Sequence, residues 1–139
     1  MDGRGVAVDK LRIVVAEEHI VVRAIIVTLL DGDCEVMAAL DDGKELMQAA
    51  LAYAPDLIIS DVSLKTMGGV AVRQQLLSDG IFIPFVFVTS DAADLDSTPA
   101  QYAVGWVHKV DMVDELNAAV TAVWQGLSYV SKSLSPPQV

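Results

Sequence analysis

Short apolar runs alternate along this chain with longer segments whose apolar residues recur at helical spacing. Five such runs are predicted to be strands, at residues 11–16, 35–40, 57–60, 85–88 and 104–108. Helices are predicted at residues 21–30, 43–54, 70–77 and 112–125. The segment 91–101 contains Pro99 and several aspartates, and it supports one short helix at best.

The predicted strands are short and almost wholly apolar, which is typical of strands buried on both faces of a parallel sheet. The alternation of strands with helices predicts an α/β protein whose sheet carries helices on both faces. Right-handed crossovers and short loops leave few topologies, and among these we expect the strand order 2-1-3-4-5.

The pattern fits one domain, at residues 11–127 of the 139 in the chain. Residues 1–10 are predicted to form an N-terminal tail. Residues 128–139 contain Pro136, Pro137 and several serines, and we predict that they form a linker or a C-terminal tail.

The charge balance limits the partners of this chain. Its nine basic residues are scattered among nineteen acidic ones, and the net charge of −10 argues against direct nucleic-acid binding by this chain. The acidity suits a protein that binds a divalent cation or a basic partner surface. It equally suits a charge that only keeps an apolar-rich domain soluble.

Cysteine content and apolar stretches indicate the compartment. Cys34 is the only cysteine, which excludes an internal disulfide and fits a reducing compartment. The longest apolar stretch, residues 20–30, contains Arg23 and is too short to span a bilayer, and residues 1–5 lack the apolar segment of a secretory signal. We therefore expect a cytoplasmic protein without a membrane partner.

Polar residues follow four of the predicted strands. They are Glu17 and Glu18, Asp61, Thr89 and Lys109. Ligands of parallel sheets bind beyond the carboxyl ends of the strands, so we expect these side chains to converge on one pocket. Three neighbouring carboxylates repel one another unless a cation shares them, and Mg²⁺ is the natural candidate. The alternative is a solvated acidic rim without a metal.

These residue types suit phosphoryl transfer. The carboxylate of Asp61 can attack phosphorus and form an acyl phosphate. Thr89 can donate its hydroxyl to a phosphoryl oxygen, and Lys109 can supply a point positive charge. Each residue taken alone has an ordinary alternative, as a turn cap, a residue that closes a strand, or a surface lysine. The sequence contains no Cys/His metal cluster, serine triad or glycine-rich phosphate loop.

From about Leu11 to Gly126 the chain resembles the receiver domain of bacterial two-component response regulators. The resemblance implies a flavodoxin-like (βα)5 three-layer sandwich. The positions that match the family's motif are the acidic pair Glu17-Glu18, the phosphoacceptor Asp61, the switch hydroxyl of Thr89, the aromatic switch residue Trp106 and the invariant Lys109. Ser63 falls where the family uses a backbone carbonyl as a Mg²⁺ ligand, beside the ligands Glu17, Glu18 and Asp61.

The segments 18–23 and 122–131 resemble the NarL/FixJ (LuxR-type) subfamily, in which a linker and a DNA-binding domain follow the receiver. The resemblance implies that a sensor histidine kinase phosphorylates Asp61 in the presence of Mg²⁺. Thr89 and Trp106 would then switch a partner or dimer surface in transcription regulation. Stoichiometric self-phosphorylation, without turnover on external substrates, is implied. A DNA-binding output domain is expected in a longer protein, unless the receiver stands alone.

Some positions depart from the family pattern. Two glutamates replace the usual pair with at least one aspartate, the segment 64–69 lacks the family's proline and aspartate, and Lys65 is a candidate to occupy the place of the cation. These departures favour an alternative function, a phosphorylation-independent pseudo-receiver that acts as an interaction or dimerisation module. A phosphohydrolase is disfavoured because Ser63 stands where such enzymes place a second aspartate.

Apolar residues in excess of one core favour a homodimer. The candidates for that interface are Val113, Ala119, Trp124 and Tyr129.

Overall fold

A six-stranded parallel sheet forms the middle layer of the protein. The structure, a computed structural model, describes residues 10–97 and 102–135. The strands are β1 (Leu11–Ala16), β2 (Cys34–Leu40), β3 (Leu57–Asp61), β4 (Phe85–Thr89), β5 (Val104–His108) and β6 (Tyr129–Val130). Their order in the sheet is β2-β1-β3-β4-β5-β6, and every neighbouring pair is parallel. The predicted order of the first five strands is confirmed, whereas the sixth strand was not predicted.

Four α-helices cover the two faces of the sheet. They are α1 (Ile20–Leu30), α2 (Gly43–Tyr53), α3 (Gly69–Ser78) and α4 (Met112–Trp124). Short 3₁₀ helices cover Ala92–Ser97, Lys109–Asp111 and Lys132–Leu134. The first of these is the short helix expected near Pro99, which itself lies outside the described residues. None of the helices in the described part of the chain is long and apolar enough to cross a membrane.

Alternate residues of each central strand face opposite layers. Leu57 and Ile59 of β3 pack with α1 and α4, whereas Ile58 between them packs with α2 and α3. This alternation is what a fully apolar strand needs when both of its faces are covered. Full burial of such a side chain contributes about 1.5–3 kcal/mol, so the two cores hold the strand ends at fixed positions. The predicted three-layer α/β architecture is confirmed.

The chain after α4 is folded onto the domain. Tyr129 and Val130 pair with Gly105 and Trp106 of β5. Leu134 is only 6 % exposed and belongs to the core under α2 and α3. The serines and prolines of this region suggested a linker or tail from residue 128, but composition does not reveal a buried anchor such as Leu134. These contacts fold the chain against the domain as far as Leu134, and the domain boundary at residue 127 remains a prediction; residues 136–139 lie outside the described residues.

The apolar residues singled out for a dimer interface differ in their environments. Ala119 is fully buried in the core, so it serves the fold. Val113 is 71 % exposed and Trp124 is 52 % exposed, whereas Tyr129 is half-buried. Val113 and Trp124 remain available to a partner, and the homodimer remains a prediction.

Candidate functional site

Four strands end at one edge of the sheet, and their last or following residues surround one cavity. Its volume is about 320 Å³. The lining residues are Glu18, His19, Asp61, Ser63, Thr89, Ser90, Asp91, Asp94 and Lys109. Glu17 lies behind this lining and is fully buried. The expected convergence of strand-end residues is therefore present in the fold.

Asp61 is the last residue of the central strand β3, and both of its carboxylate oxygens have partners. Oδ2 accepts a hydrogen bond of 2.7 Å from the ammonium of Lys109. Oδ1 accepts one of 3.0 Å from the backbone N–H of Ser63. The backbone of Asp61 is also close to α3, because a Cβ at Gly69 would lie 2.4 Å from the Asp61 carbonyl oxygen. Only glycine allows the helix to start this close to the strand.

Two carboxylates share the one ammonium of Lys109. Its Nζ lies 3.3 Å from Oε1 of Glu17, in addition to its bond to Asp61. Burial alone would lower the pKa of Lys109, but the hydrogen bond from its ammonium to Asp61 and the negative charges of Asp61 and Glu17 raise it. Lys109 is therefore protonated, and one negative charge of this trio is left without a counterion among the three groups.

The burial of Glu17 and the surplus negative charge beside it affect the pKa of Glu17. Burial raises the pKa of its carboxyl group because the charged form loses water, and the hydrogen bond from the His19 N–H opposes this shift. The neighbouring carboxylate of Asp61 raises the pKa further. Oε2 accepts the backbone N–H of His19 at 3.0 Å and a longer hydrogen bond of 3.4 Å from the Lys109 ammonium, whereas Oε1 is buried without a hydrogen-bond partner in the described structure. The contact of Oε1 with Lys109 is thus an ion pair without hydrogen-bond alignment.

Thr89 ends β4, next to β3, and its hydroxyl already has a partner. It donates a hydrogen bond of 2.5 Å to Oδ2 of Asp94. The hydroxyl oxygen of Thr89 also accepts the backbone N–H of Asp91 at 3.1 Å. Asp94 lies on the 3₁₀ helix that follows β4. Sequence reasoning missed this acceptor, because only the turn of the 3₁₀ helix brings a residue five positions later back to the strand end.

Several other residues named from the sequence lie at the edge of the site or outside it. Glu18 lines the cavity but is exposed. Lys65 is paired with Asp41 at 3.1 Å on the exposed surface, and it does not line the cavity, so its suggested role in place of a cation is wrong. Trp106 is buried and stacks on Phe87 with a ring separation of 4.8 Å, so it lies in the core and not in the cavity.

The donor set for a metal ion consists of two close carboxylates. Among residues 10–97 and 102–135, no three His, Cys, Asp or Glu side chains are gathered into a metal-binding group. Glu18, the predicted third carboxylate, lines the cavity with Asp61 but is not gathered with Glu17 and Asp61 into such a group, and its role as a ligand remains a prediction. Mg²⁺ is usually held by one or two carboxylates together with waters and phosphate oxygens. The buried Oε1 of Glu17, which lacks a hydrogen bond and has only its ion pair with Lys109, and the surplus negative charge fit such an ion.

Comparison with known families decides what kind of domain carries this site. Residues 13–121 match the family model of the response regulator receiver domain. The chain belongs to this family. The resemblance found in the sequence is thereby confirmed, and with it the assignment of this receiver to two-component signal transduction.

Sequence relatives support the NarL/LuxR type. The receiver is 30% identical over 130 residues to a nitrate/nitrite response regulator protein homolog of Haemophilus influenzae, covering 91% of this chain and 62% of that protein. It is 28% identical to the response regulator GacA of Pseudomonas viridiflava, covering 90% of this chain and 60% of that protein. The receiver thus spans about three fifths of the length of these relatives.

Solved structures support the same fold. A LuxR-family response regulator from Aurantimonas sp. SI85-9A1 superimposes with a TM-score of 0.79 at 23% identity, covering 91% of this receiver and 93% of that chain. The signal receiver domain of the putative response regulator NarL from Mycobacterium tuberculosis gives a TM-score of 0.74 at 23% identity, covering 86% and 99% of the two chains. The flavodoxin-like receiver fold is confirmed.

Proposed function

We propose that Asp61 is the phosphoacceptor of this receiver and that a sensor histidine kinase supplies the phosphoryl group. The observation that carries this proposal is the bond of 2.7 Å between Asp61 and the ammonium of Lys109 at the wall of an open cavity. Asp61 is only 5 % exposed, but it lines this cavity, through which a donor can approach, and its negative charge is balanced by a protonated group. Thr89 lines the same cavity from the neighbouring strand.

The chemistry needs few groups. A carboxylate oxygen of Asp61 forms a bond to phosphorus, the bond from phosphorus to the donor nitrogen breaks, and the departing imidazole nitrogen takes up a proton. The ammonium of Lys109 and the hydroxyl of Thr89 then donate to the phosphoryl oxygens, whose charge they stabilise. One phosphoryl group is accepted per domain, so the reaction is stoichiometric self-phosphorylation and not a turnover on external substrates. Hydrolysis of the acyl phosphate later restores Asp61.

Glu17 and Asp61 are the residues that would hold Mg²⁺. When bound, the ion supplies positive charge to the phosphoryl oxygens. Support for this ligand set comes from Oε1 of Glu17, which accepts no hydrogen bond, and from the negative charge that Lys109 leaves unbalanced. Glu18 and the backbone carbonyl of Ser63 remain proposed ligands on the strength of the family motif.

Switching requires the hydroxyl of Thr89 to leave Asp94. A hydrogen bond to a carboxylate is worth about 1.5–3 kcal/mol, so Asp94 holds the receiver in the unphosphorylated arrangement. Trp106, three residues before Lys109 on β5, is the proposed reporter of the change. The surface that changes on phosphorylation binds a partner or forms a homodimer. In a longer protein of the NarL/LuxR type, we propose that a DNA-binding output domain responds to it.

The variant Asp94→Asn is expected to bind Mg²⁺–beryllofluoride about fivefold more tightly, which corresponds to about 1 kcal/mol. A neutral amide holds the Thr89 hydroxyl less strongly, and the cavity loses one negative charge. Trp106 fluorescence measures the binding in a background where Trp124→Phe removes the second tryptophan. Asp96→Asn on the same 3₁₀ helix is the matched control. Unchanged or weaker binding in the Asp94 variant contradicts the proposed competition.

Labelling of the natural chain tests the function itself. With acetyl phosphate and Mg²⁺, the intact mass should increase by one phosphoryl group, hydroxylamine should remove it, and peptide mapping should locate it at Asp61. The pseudo-receiver alternative predicts no labelling and no response of Trp106 fluorescence to Mg²⁺ and beryllofluoride. Absence of both signals would therefore replace the phosphoacceptor proposal with the alternative.

A further inference from the structure

The turn that carries Lys109 is held at both of its ends. Lys109–Asp111 form a single 3₁₀ turn between β5 and α4. At one end, the Lys109 ammonium donates to Asp61. At the other end, Asp111 is buried, with 3 % of its surface exposed. A single residue, Val110, thus separates the cation of the phosphoacceptor site from a buried carboxylate that has no part in the chemistry proposed above.

The segment after α4 supplies the partners of Asp111. Its Oδ2 accepts the Ser131 hydroxyl at 2.6 Å and the Ser133 backbone N–H at 2.9 Å. Its Oδ1 accepts the Ser133 hydroxyl at 2.7 Å. Burial alone would raise the pKa of Asp111, but these hydrogen bonds lower it, which keeps the carboxylate charged. Three donors on one buried carboxylate hold the turn against the segment.

Ser131 also ties the segment to β5 on the N-terminal side of Lys109. Its backbone N–H donates to the Trp106 carbonyl at 2.9 Å, and its hydroxyl oxygen accepts the His108 N–H at 2.9 Å. Ser131 is fully buried. The segment therefore contacts the chain on both sides of Lys109, at residues 106 and 108 before it and at Asp111 after it.

We propose that Asp111, bound by Ser131 and Ser133, is a positioning residue that sets the Lys109 turn against Asp61 and couples the site to the segment 129–135. The proposal rests on the phosphoacceptor role of Asp61. Coupling between two sites is reciprocal. A phosphoryl group on Asp61 that attracts the Lys109 ammonium therefore also changes the strength of the hydrogen bonds from Ser131 and Ser133 to Asp111. Residues that follow Ser135 are connected through the backbone to Ser131 and Ser133, which contact Asp111.

Variants of the exposed Ser133 test the positioning role with little risk to folding. Asp111→Asn and Ser133→Ala are expected to slow labelling of Asp61 by acetyl phosphate about fivefold, at the low end of measured coupling between sites. Ser133→Thr keeps the hydroxyl and should restore the natural rate. Ser135→Ala is the matched control, because the Ser135 hydroxyl bonds the Ser131 carbonyl and not Asp111. Equal rates in all four variants overturn the proposal.

A second measurement does not depend on phosphorylation. Lys109→Met should accelerate amide hydrogen exchange at Ser131, Ser133 and Leu134 about fivefold, while the amide of Leu46 in α2 keeps its natural rate. Unchanged exchange in the segment also overturns the proposal. If the natural chain is never labelled at Asp61, the phosphoacceptor role fails. If labelling is normal but insensitive to Asp111 and Ser133, only the positioning role fails.

Discussion

Asp61→Asn is expected to abolish phosphorylation of this receiver by acetyl phosphate. The amide has nearly the shape of the carboxylate, but it lacks the negative oxygen that attacks phosphorus. Among the described residues that line the cavity, Asp61 is the carboxylate that bonds the Lys109 ammonium. The loss should therefore be complete, and it is measured as the disappearance of the phosphoryl group from the intact mass.

The Asp61 variant should remain folded. Lys109 keeps Glu17 as its counterion at 3.3 Å, and the trio changes from one surplus negative charge to a balanced pair. Thermal unfolding should show an equal or higher melting temperature than that of the natural chain. Asp91→Asn is the matched control, because Asp91 lines the same cavity but accepts the Ala93 N–H and does not bond Lys109. Labelling that persists in the Asp61 variant would place the acceptor at another residue.

The fold followed from the sequence because the central strands β3 and β4 are buried and largely apolar on both faces. Leu57, Ile58 and Ile59 leave no polar side to β3, and only a sheet covered by two helical layers accommodates such a strand. The same pattern placed the strand ends, and with them Asp61, Thr89 and Lys109, at one edge. These positions depend on the backbone, which hydrophobic patterning specifies well.

What the sequence did not reveal depends on which way individual side chains point. Glu17 and Glu18 are adjacent and alike in chemistry, yet Glu17 is buried and Glu18 is exposed. The backbone N–H of Glu17 still bonds the Leu40 carbonyl at 2.8 Å, so Glu17 continues the ladder of β1 and β2. Successive residues of a strand face opposite sides, and only the first glutamate is directed into the core.

The hydrogen-bond partners of Asp94 and Asp111 could not be predicted from the sequence for a related reason. Thr89 and Asp94 meet through a 3₁₀ turn, and Asp111 meets Ser131 through the return of the chain along β5. Serines and aspartates are common in loops and carry no periodic signal. Their hydrogen bonds arise once the apolar anchors, Tyr129 and Leu134 among them, fix the path of the chain.

Glu17→Gln is expected to weaken Mg²⁺ binding at least tenfold while it stabilises the metal-free fold at neutral pH. The two effects have one cause, because Glu17 is a buried carboxylate with one unpartnered oxygen beside a second carboxylate. Its negative charge attracts a cation when one is bound and destabilises the domain when none is. Titration calorimetry measures the affinity, and urea unfolding measures the stability.

The sign of the pH dependence follows from the pKa of Glu17, which the fold raises above its ordinary value of 4.5. Protonated Glu17 favours the folded state below the unfolded-state pKa, and this contribution is lost as the pH rises through the higher folded-state pKa. Glutamine is neutral at every pH. The stability gain of Glu17→Gln should therefore be present at neutral pH and vanish in acid, whereas Glu18→Gln, at an exposed position, should change stability by less than about 0.5 kcal/mol. Natural Mg²⁺ affinity in the Glu17 variant, or a loss of its stability at neutral pH, would show that the buried carboxylate is a structural group and not a metal ligand.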